Sequence, residues 1–199
     1  MTLEAAEVIA RGGVLAFRTD TFYGLGVDPL NPRAVRSLFE LKGREEGKPI
    51  LVVISDLVQV DRFIARRSPQ FNQIADRFWP GPLTIVGPAK EDLPRELTAG
   101  TGIVGVRLPD NERVRDLVRL CGGALTATSA NVSGQPPART AAEVSQQFPT
   151  GIDLIIDDGE VTATQPSTVI DLSAGELRLI REGTISRTDL EDCRLMIVD

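Results

Sequence analysis

The sequence predicts an α/β fold, with one domain in which a twisted, mixed β-sheet is flanked by helices. The 199 residues are 42% hydrophobic, which suits a globular domain that buries about 70% of its unfolded surface. Short apolar runs alternate with segments of helical periodicity. One apolar run leads into a loop at 126–134 rich in small hydroxyl and amide side chains, and α/β sheets carry such loops at their binding crevices. We find no repeat, low-complexity tract or long linker, so residues 1–199 are expected to form a single domain.

Helices are predicted where apolar residues recur at helical spacing after a capping residue. The first such segment ends at Gly12, which is typical of a helix C-terminus. Asn31 followed by Pro32 indicates the start of the second helix, and Thr140 with Glu143 has the spacing of a capping box. The predicted helices cover 3–11, 33–41, a segment after 55–56, 68–78, 111–120 and 140–148, and 92–101 is expected to be irregular or weakly helical.

Strands are predicted from short apolar runs bounded by turn residues. They cover 13–17, 50–54, 83–86, 103–107, 124–128, 153–157, 167–172 and 177–180. Pro80 and Pro82 make a rigid turn before the third of these strands, and the neighbouring Trp79 is expected in the core. Arg107 ends an otherwise apolar strand, where a buried guanidinium needs an anionic partner.

The chain contains no histidine, which excludes Ser-His-Asp and Cys-His catalysis and any zinc site that uses imidazole. Chemistry must therefore depend on carboxylates, hydroxyls, lysine, arginine, backbone donors or a bound metal. The net charge of −6 argues against a large nucleic-acid footprint, because phosphate contacts come from clustered Lys and Arg. Direct nucleic-acid binding is therefore expected to be weak or absent, whereas a local basic pocket for a small anion is compatible with this charge.

The compartment is expected to be the cytoplasm. Cys121 and Cys193 lie far apart without paired spacing, which favours a reducing environment over a disulfide framework or a zinc site. Cys121 is expected as core at a helix end. No apolar run approaches the roughly 20 residues of a membrane span, and residues 1–4 lack the basic region of a signal peptide. We therefore expect no membrane association.

Two polar segments are candidate binding loops. Residues 41–49 carry three cations beside two glycines, a set suited to an anion such as a phosphate chain. The cations are Lys42, Arg44 and Lys48. A solvated loop is the alternative, and a Walker loop is not, because the spacing is one residue short and a proline follows the lysine. The second segment, 126–134, includes Ser129 and Asn131.

With these segments the sequence resembles the YrdC-type threonylcarbamoyl-AMP synthases, whose K-x-R and S-x-N signature matches Lys42-Gly43-Arg44 and Ser129-Ala130-Asn131. Further blocks match in the same order: Thr19–Gly26, Trp79–Thr84, Val104–Arg107, Ser167–Val169 and Arg181–Gly183. The resemblance implies a YrdC-like domain with a concave basic cavity, a motif-bearing core over about 3–183 and a short C-terminal extension over 184–199.

The resemblance also implies a reaction. A synthase of this family is a nucleotidyltransferase that joins L-threonine, bicarbonate and ATP into L-threonylcarbamoyladenylate and releases pyrophosphate, for the threonylcarbamoyladenosine modification of tRNA. Such a reaction needs positioning and charge neutralisation rather than a protein nucleophile, so a site without histidine is competent. Mg²⁺ is expected with ATP, and its ligands stay open among Asp157, Asp158 and phosphate oxygens alone. A downstream tRNA threonylcarbamoyl transferase complex is the implied partner.

Roles carry over to ten positions of this sequence. Those expected to face ATP are Arg44, Lys48, Ser129 and Arg181. Those expected to face L-threonine are Thr21, Arg107, Ala127 and Ser167. Lys42 and Asn131 complete the centre between the two substrates, and with Arg44 and Ser129 they are the expected catalytic residues.

The sequence departs from the commonest family pattern at Arg18, Val53, Pro137 and Pro166, where proline, histidine, serine and glutamate are usual. A side branch without an established synthase activity shares the ending at 165–172, so a YrdC-like protein with a different carbamoyl or nucleotide ligand is one alternative. That branch usually lacks an intact K-x-R and S-x-N. A non-catalytic RNA-binding or ribosome-assembly factor is the other alternative, and the acidic composition argues against it.

Overall fold

Ten strands form one mixed sheet in a computed structural model that describes residues 2–43, 50–193 and 197–198. The strands are β1 Leu15–Arg18, β2 Tyr23–Gly26, β3 Leu51–Ile54, β4 Leu83–Pro88, β5 Ile103–Arg107, β6 Ala124–Ser129, β7 Leu154–Ile156, β8 Thr168–Asp171, β9 Leu177–Arg181 and β10 Ile197–Val198. Their order across the sheet is β10-β9-β8-β4-β5-β3-β6-β2-β1-β7. Antiparallel and parallel pairs both occur, as in β4 with β5 and β4 with β8, so the predicted α/β class with a mixed sheet is confirmed.

Helices flank the sheet and begin largely where the sequence predicts. They are α1 Thr2–Ala10, α2 Pro32–Lys42, a 3₁₀ helix Leu57–Arg62, α3 Pro69–Phe78, α4 Arg95–Thr98, α5 Glu112–Leu120, α6 Ala141–Gln147 and α7 Arg187–Glu191. The Asn31 side chain accepts hydrogen bonds from two backbone N–H groups of α2, and Ser68, Asn111 and Thr140 cap later helices in the same way. Among the described residues, none of these helices has the length and apolarity that crossing a membrane requires.

The two faces of the central strands have different partners. On one face Val52, Ile85, Val106 and Ile170 belong to a core that includes the α3 side chain Ile74. The opposite face is covered by α1 and α5 only near β1, β3 and β6, where a second core forms. On β4, β5 and β8 that opposite face instead lines a cavity. The fold therefore leaves this part of the sheet open to a ligand.

Strand β2 was not predicted, and its pairing depends on contacts distant in sequence. Gly24 and Gly26 lower the intrinsic strand propensity of this segment. A β-carbon at Gly26 would lie 2.7 Å from the ring of Phe17 and 2.9 Å from the carbonyl oxygen of Thr126. Glycine therefore permits β2 to insert between β1 and β6, and the strand turns residues 19–22 toward the cavity.

Other differences are smaller. The cap at Asp56 begins the 3₁₀ helix rather than an α-helix, and the predicted C-terminal extension contributes α7 and β10 to the described structure. Trp79 is buried as expected, with its indole N–H donating to the Leu83 carbonyl at 2.7 Å. Cys121 is also buried, at the C-terminal cap of α5, and forms no disulfide.

Candidate active site

The cavity over β4, β5 and β8 has a volume of about 490 Å³. Side chains that alternate along the strands form its floor, because every second residue of a strand points to the same face. Six of the ten predicted site residues line it: Thr21, Arg107, Ala127, Ser129, Ser167 and Arg181. They come from five separate parts of the chain, so the fold brings to one cavity residues that lie far apart in the sequence.

Arg107 is the most deeply buried charge at the cavity. Its guanidinium forms an ion pair with Asp20, donates from Nε to the Gly81 carbonyl at 3.2 Å and donates from Nη1 to Thr21 Oγ1 at 3.3 Å. Burial lowers the pKa of Arg107, and the charge of Asp20 opposes that shift. A guanidinium has five N–H donors, so two remain beyond these three bonds. Arg107 is thus held in one orientation with donors available for a further anion.

A turn between β1 and β2 presents Thr21 to this guanidinium. Thr19 Oγ1 donates to the Phe22 carbonyl at 2.7 Å and accepts from the backbone N–H groups of Thr21 and Phe22. The Thr19 hydroxyl therefore has the turn-forming role typical of such residues. The Thr21 hydroxyl instead reaches both Thr19 and Arg107.

Ser167 and Arg181 form another part of the cavity lining. Arg181 donates from Nε and Nη2 to the Ser167 carbonyl at 3.2 and 2.8 Å, and from Nη2 to Ser167 Oγ at 3.2 Å. Arg181 lies at the exposed mouth, but partial burial of its guanidinium lowers its pKa and the nearby positive charge of Arg107 lowers it further. Two arginines at one cavity repel each other, so an anion between them is stabilised by both.

The two signature segments meet beside the cavity. The Lys42 ammonium, in the last turn of α2, is buried and donates to the Ser129 carbonyl. Asn131 donates from Nδ2 to the carbonyls of Val132 and Gln135 at 2.9 and 2.8 Å. Within the described part of the chain, its buried Oδ1 has no hydrogen-bond partner. Lys42 and Asn131 are not among the cavity-lining residues: Lys42 contacts the Ser129 backbone, and Asn131 belongs to the same loop as Ser129.

Arg44 and Lys48 lie outside the described residues, as does the rest of 44–49. In the described lining, the positive charges are those of Arg107 and Arg181, and Asp171 is the one carboxylate. The basic character of the whole cavity therefore stays a prediction.

The departures from the family pattern divide into two groups. Val53 and Pro166 line the cavity, as does Ile103, so their apolar surfaces face any ligand there. Arg18 instead donates to the Asp158 carbonyl at 3.3 Å, outside the described lining. Pro137 is also absent from that lining.

Asp20, Thr84 and Gly105 were not predicted as site residues. Asp20 stands between Thr19 and Thr21 in the sequence, and its pairing with Arg107 depends on a turn meeting a distant strand end. Thr84 is the last residue of the matching block that begins at Trp79. Its hydroxyl at the start of an apolar strand was the sequence feature that could have indicated a site residue. Thr84 and Gly105 both line the cavity floor.

Comparison with known proteins identifies relatives of this chain. The family model Sua5/YciO/YrdC, described as telomere recombination, matches residues 7–183. A threonylcarbamoyl-AMP synthase of Pyrococcus abyssi is 38% identical over 187 residues, which are 94% of this chain and 55% of that protein. One of Thiobacillus denitrificans is 42% identical over 170 residues, 85% of this chain and 89% of that protein. The chain thus spans little more than half of the first relative and most of the second.

Solved structures agree in fold. The crystal structure of P. abyssi Sua5 complexed with L-threonine is 37% identical and has a TM-score of 0.94, covering 99% of this chain and 58% of that chain. The structure of E. coli YciO, 24% identical with a TM-score of 0.82, covers 92% of this chain and 89% of that chain and supports the fold alone. With the family model matching nearly all of its length and these relatives beside it, the chain belongs to the Sua5/YciO/YrdC family.

Proposed function

We propose that this protein is an L-threonylcarbamoyl-AMP synthase. The observation that carries the proposal is the cavity itself, which gathers Thr21, Arg107, Ala127, Ser129, Ser167 and Arg181 on one open sheet face. The relatives from P. abyssi and T. denitrificans bear the name of this activity, and the P. abyssi structure was solved with L-threonine. In the proposed reaction L-threonine, bicarbonate and ATP give L-threonylcarbamoyladenylate, pyrophosphate and water.

Arg107 is proposed to hold the carboxylate of L-threonine. Its free donors suit a carboxylate, which accepts two N–H groups side by side. Thr21, Ala127 and Ser167 complete the amino-acid side of the cavity. A ligand held in this way presents its amine to bicarbonate, forming a C–N bond with loss of water, and a carbamate oxygen then attacks the α-phosphorus of ATP.

The nucleotide is proposed to lie on the side of Ser129 and Arg181. Negative charge that develops on the α-phosphate and on departing pyrophosphate is stabilised by fixed cations, and removal of one such donor typically costs about 10²–10³ in rate. Arg181 is fixed by three hydrogen bonds to Ser167. Lys42, fixed on the Ser129 carbonyl, brings a second cation to the same edge. The proposed roles of Arg44 and Lys48 in nucleotide binding rest on the resemblance of the sequence to the family.

Mg²⁺ belongs to the proposal as a companion of ATP. Across the described ranges no three His, Cys, Asp or Glu side chains group together as a metal site. Asp157 accepts from the Gly159 N–H and Asp158 pairs with Arg113, and neither lines the cavity. Phosphate oxygens and water, the partners that Mg²⁺ commonly keeps in nucleotide sites, are therefore the ligands we propose. When bound, the ion would neutralise charge on the phosphates.

The test is pyrophosphate release by the purified protein with ATP and Mg²⁺. Release should require L-threonine and bicarbonate together, because the carbamate is the nucleophile. Omission of either substrate should reduce release to the background without enzyme. Release that persists without L-threonine would contradict the proposal. We further propose that the adenylate passes to a downstream tRNA threonylcarbamoyl transferase, which a coupled reaction with tRNA would detect.

A further inference from the structure

Thr84 is a buried hydroxyl at the cavity that no role above uses. Only 1% of the residue is exposed, and it lies on the cavity floor beside Val169 of β8. The polar atom that its Oγ1 faces is Ser167 Oγ, at 3.5 Å. That distance is beyond the usual range for a bond between hydroxyls, which is about 2.5–3.0 Å. Buried hydroxyls are normally satisfied, so this one has hydrogen-bonding capacity left for a ligand.

Gly105 makes an apolar hollow directly beside Thr84. A β-carbon built at Gly105 would lie 3.1 Å from Cγ2 of Thr84, 3.5 Å from Cβ of Leu51 and 3.6 Å from Cγ2 of Val86. All three neighbours are carbon atoms on the cavity floor. The missing side chain therefore leaves a shallow hollow lined by carbon, where a ligand methyl group can approach the Gly105 backbone.

The methyl and hydroxyl groups of Thr84 thus face different neighbours. Its methyl group borders the hollow at Gly105, and its hydroxyl lies toward Ser167. A ligand that carries a hydroxyl and a methyl on the same carbon matches this pair, because each group finds its own kind of neighbour.

The position of Arg107 sets the distance between the carboxylate of such a ligand and the hollow at Gly105. It lies two residues after Gly105 on β5 and lines the same cavity. Two residues along a strand span about 7 Å. A ligand whose carboxylate is bound by Arg107 therefore reaches the hollow with a short side chain.

We propose that Thr84 and Gly105 determine the side-chain specificity of the amino-acid site: the Thr84 hydroxyl donates to the β-hydroxyl of L-threonine, and the hollow at Gly105 receives its methyl group. This inference rests on the proposed function, since it presumes that L-threonine occupies the cavity. It adds a substrate-contacting side chain to Thr21, Arg107, Ala127 and Ser167.

Calorimetric titration of the purified protein without bicarbonate tests the inference by binding alone. The probes are L-threonine, L-serine, which lacks the methyl group, and L-2-aminobutyrate, which lacks the hydroxyl. For the unmodified protein, L-threonine should bind about tenfold more tightly than either analogue, the size expected for one hydrogen bond or one buried methyl group.

Two variants should remove one preference each. Thr84→Val keeps the shape of the side chain and deletes the hydroxyl, so the preference for L-threonine over L-2-aminobutyrate should fall to near unity while that over L-serine persists. Gly105→Ala fills the hollow, so the preference over L-serine should fall instead. Thr84→Ser is the matched control, because it retains the hydroxyl and should retain the preference over L-2-aminobutyrate.

The outcomes separate this inference from the proposed function. An unmodified protein that binds none of the three amino acids would overturn both. Binding of L-threonine with an unchanged preference in Thr84→Val, or with an equal loss for all three ligands, would overturn the role of Thr84 alone and leave the amino-acid site intact. If Gly105→Ala fails to fold, the two Thr84 variants still decide the result.

Discussion

Replacing Arg107 with methionine should destabilise the protein by about 3 kcal/mol, the lower end of the cost of breaking a buried ion pair. The Arg107 side chain is 5% exposed and that of Asp20 is 15% exposed. Methionine keeps much of the apolar stem but leaves the Asp20 carboxylate without its cation. One oxygen of that carboxylate, Oδ1, already has no hydrogen-bond partner among the described residues. The slight exposure of Asp20 admits water, which is why we use the lower end of the range.

The partner substitution should relieve most of this cost. In the double variant Arg107→Met with Asp20→Asn, no uncompensated charge remains, so the loss should be about 2 kcal/mol smaller than the sum of the two single losses. Because a domain of this kind has about 5–15 kcal/mol of stability, the variants should remain folded at 25 °C. The cycle therefore measures the coupling between the two side chains directly.

Urea unfolding followed by circular dichroism is the assay. Arg119→Met is the matched control, because Arg119 pairs with Asp116 at the surface, with side chains 55% and 58% exposed, and should cost less than about 1 kcal/mol. The same Arg107→Met protein should bind L-threonine at least tenfold more weakly and retain its ATP affinity. A loss in stability no larger than that of Arg119→Met, or additivity in the cycle, would refute the reasoning.

Three further predictions concern other parts of the structure. Lys42→Met removes the ammonium that donates to the Ser129 carbonyl and should lower pyrophosphate release by about 10²–10³ with the far-ultraviolet spectrum unchanged; near-normal turnover would contradict this. Gly183→Ala would press a β-carbon against the Pro166 carbonyl oxygen and place it 2.8 Å from the Ser167 carbonyl carbon. Thermal melting should therefore occur at lower temperature and calorimetry should show weaker L-threonine binding, whereas unchanged values would show that Gly183 does not hold the backbone of 166–167 in place. Burial raises the pKa of the Cys121 thiol from 9.0 to about 11. The contribution of the protonated thiol to stability is therefore complete below pH 9 and is lost as pH rises toward 11, because the thiol ionises first in the unfolded chain. The loss is at most about 1.4 kcal/mol per pH unit for one proton. Urea midpoints from pH 8 to 11 should therefore fall less steeply for Cys121→Ala than for the unmodified protein, and identical slopes would argue against the raised pKa.

Features set by neighbouring residues were predictable from the sequence. Asn31 and Pro32 begin α2, and Ser68 caps α3, because a cap bonds to backbone within its own turn. The buried position of Trp79 likewise followed from its apolar surroundings. The apolar run at 103–107 located β5, although it did not show that β3 and β4 would pair with it.

Features set by distant contacts were not predictable in the same way. Strand β2 forms because Gly26 allows Phe17 and Thr126 to approach closely, and its composition alone favours a turn. Asp20 becomes the partner of Arg107 only when the turn after β1 reaches the end of β5. The positions of Arg107 and Ser129 at one cavity were expected from a family resemblance, since nothing in their spacing along the chain places them together.

The central claim is that this cavity joins L-threonine, bicarbonate and ATP, and mass spectrometry of the product tests it most directly. The purified protein would be incubated with ATP, Mg²⁺, L-threonine and ¹³C-bicarbonate, quenched early, and compared with reactions that each lack one component. The account predicts threonylcarbamoyladenylate with one heavy carbon in the complete mixture alone, and far less of it from Lys42→Met. Absence of that adduct from a folded protein that binds both ATP and L-threonine would contradict the claim, and would identify a family member that retained the cavity with a different reaction.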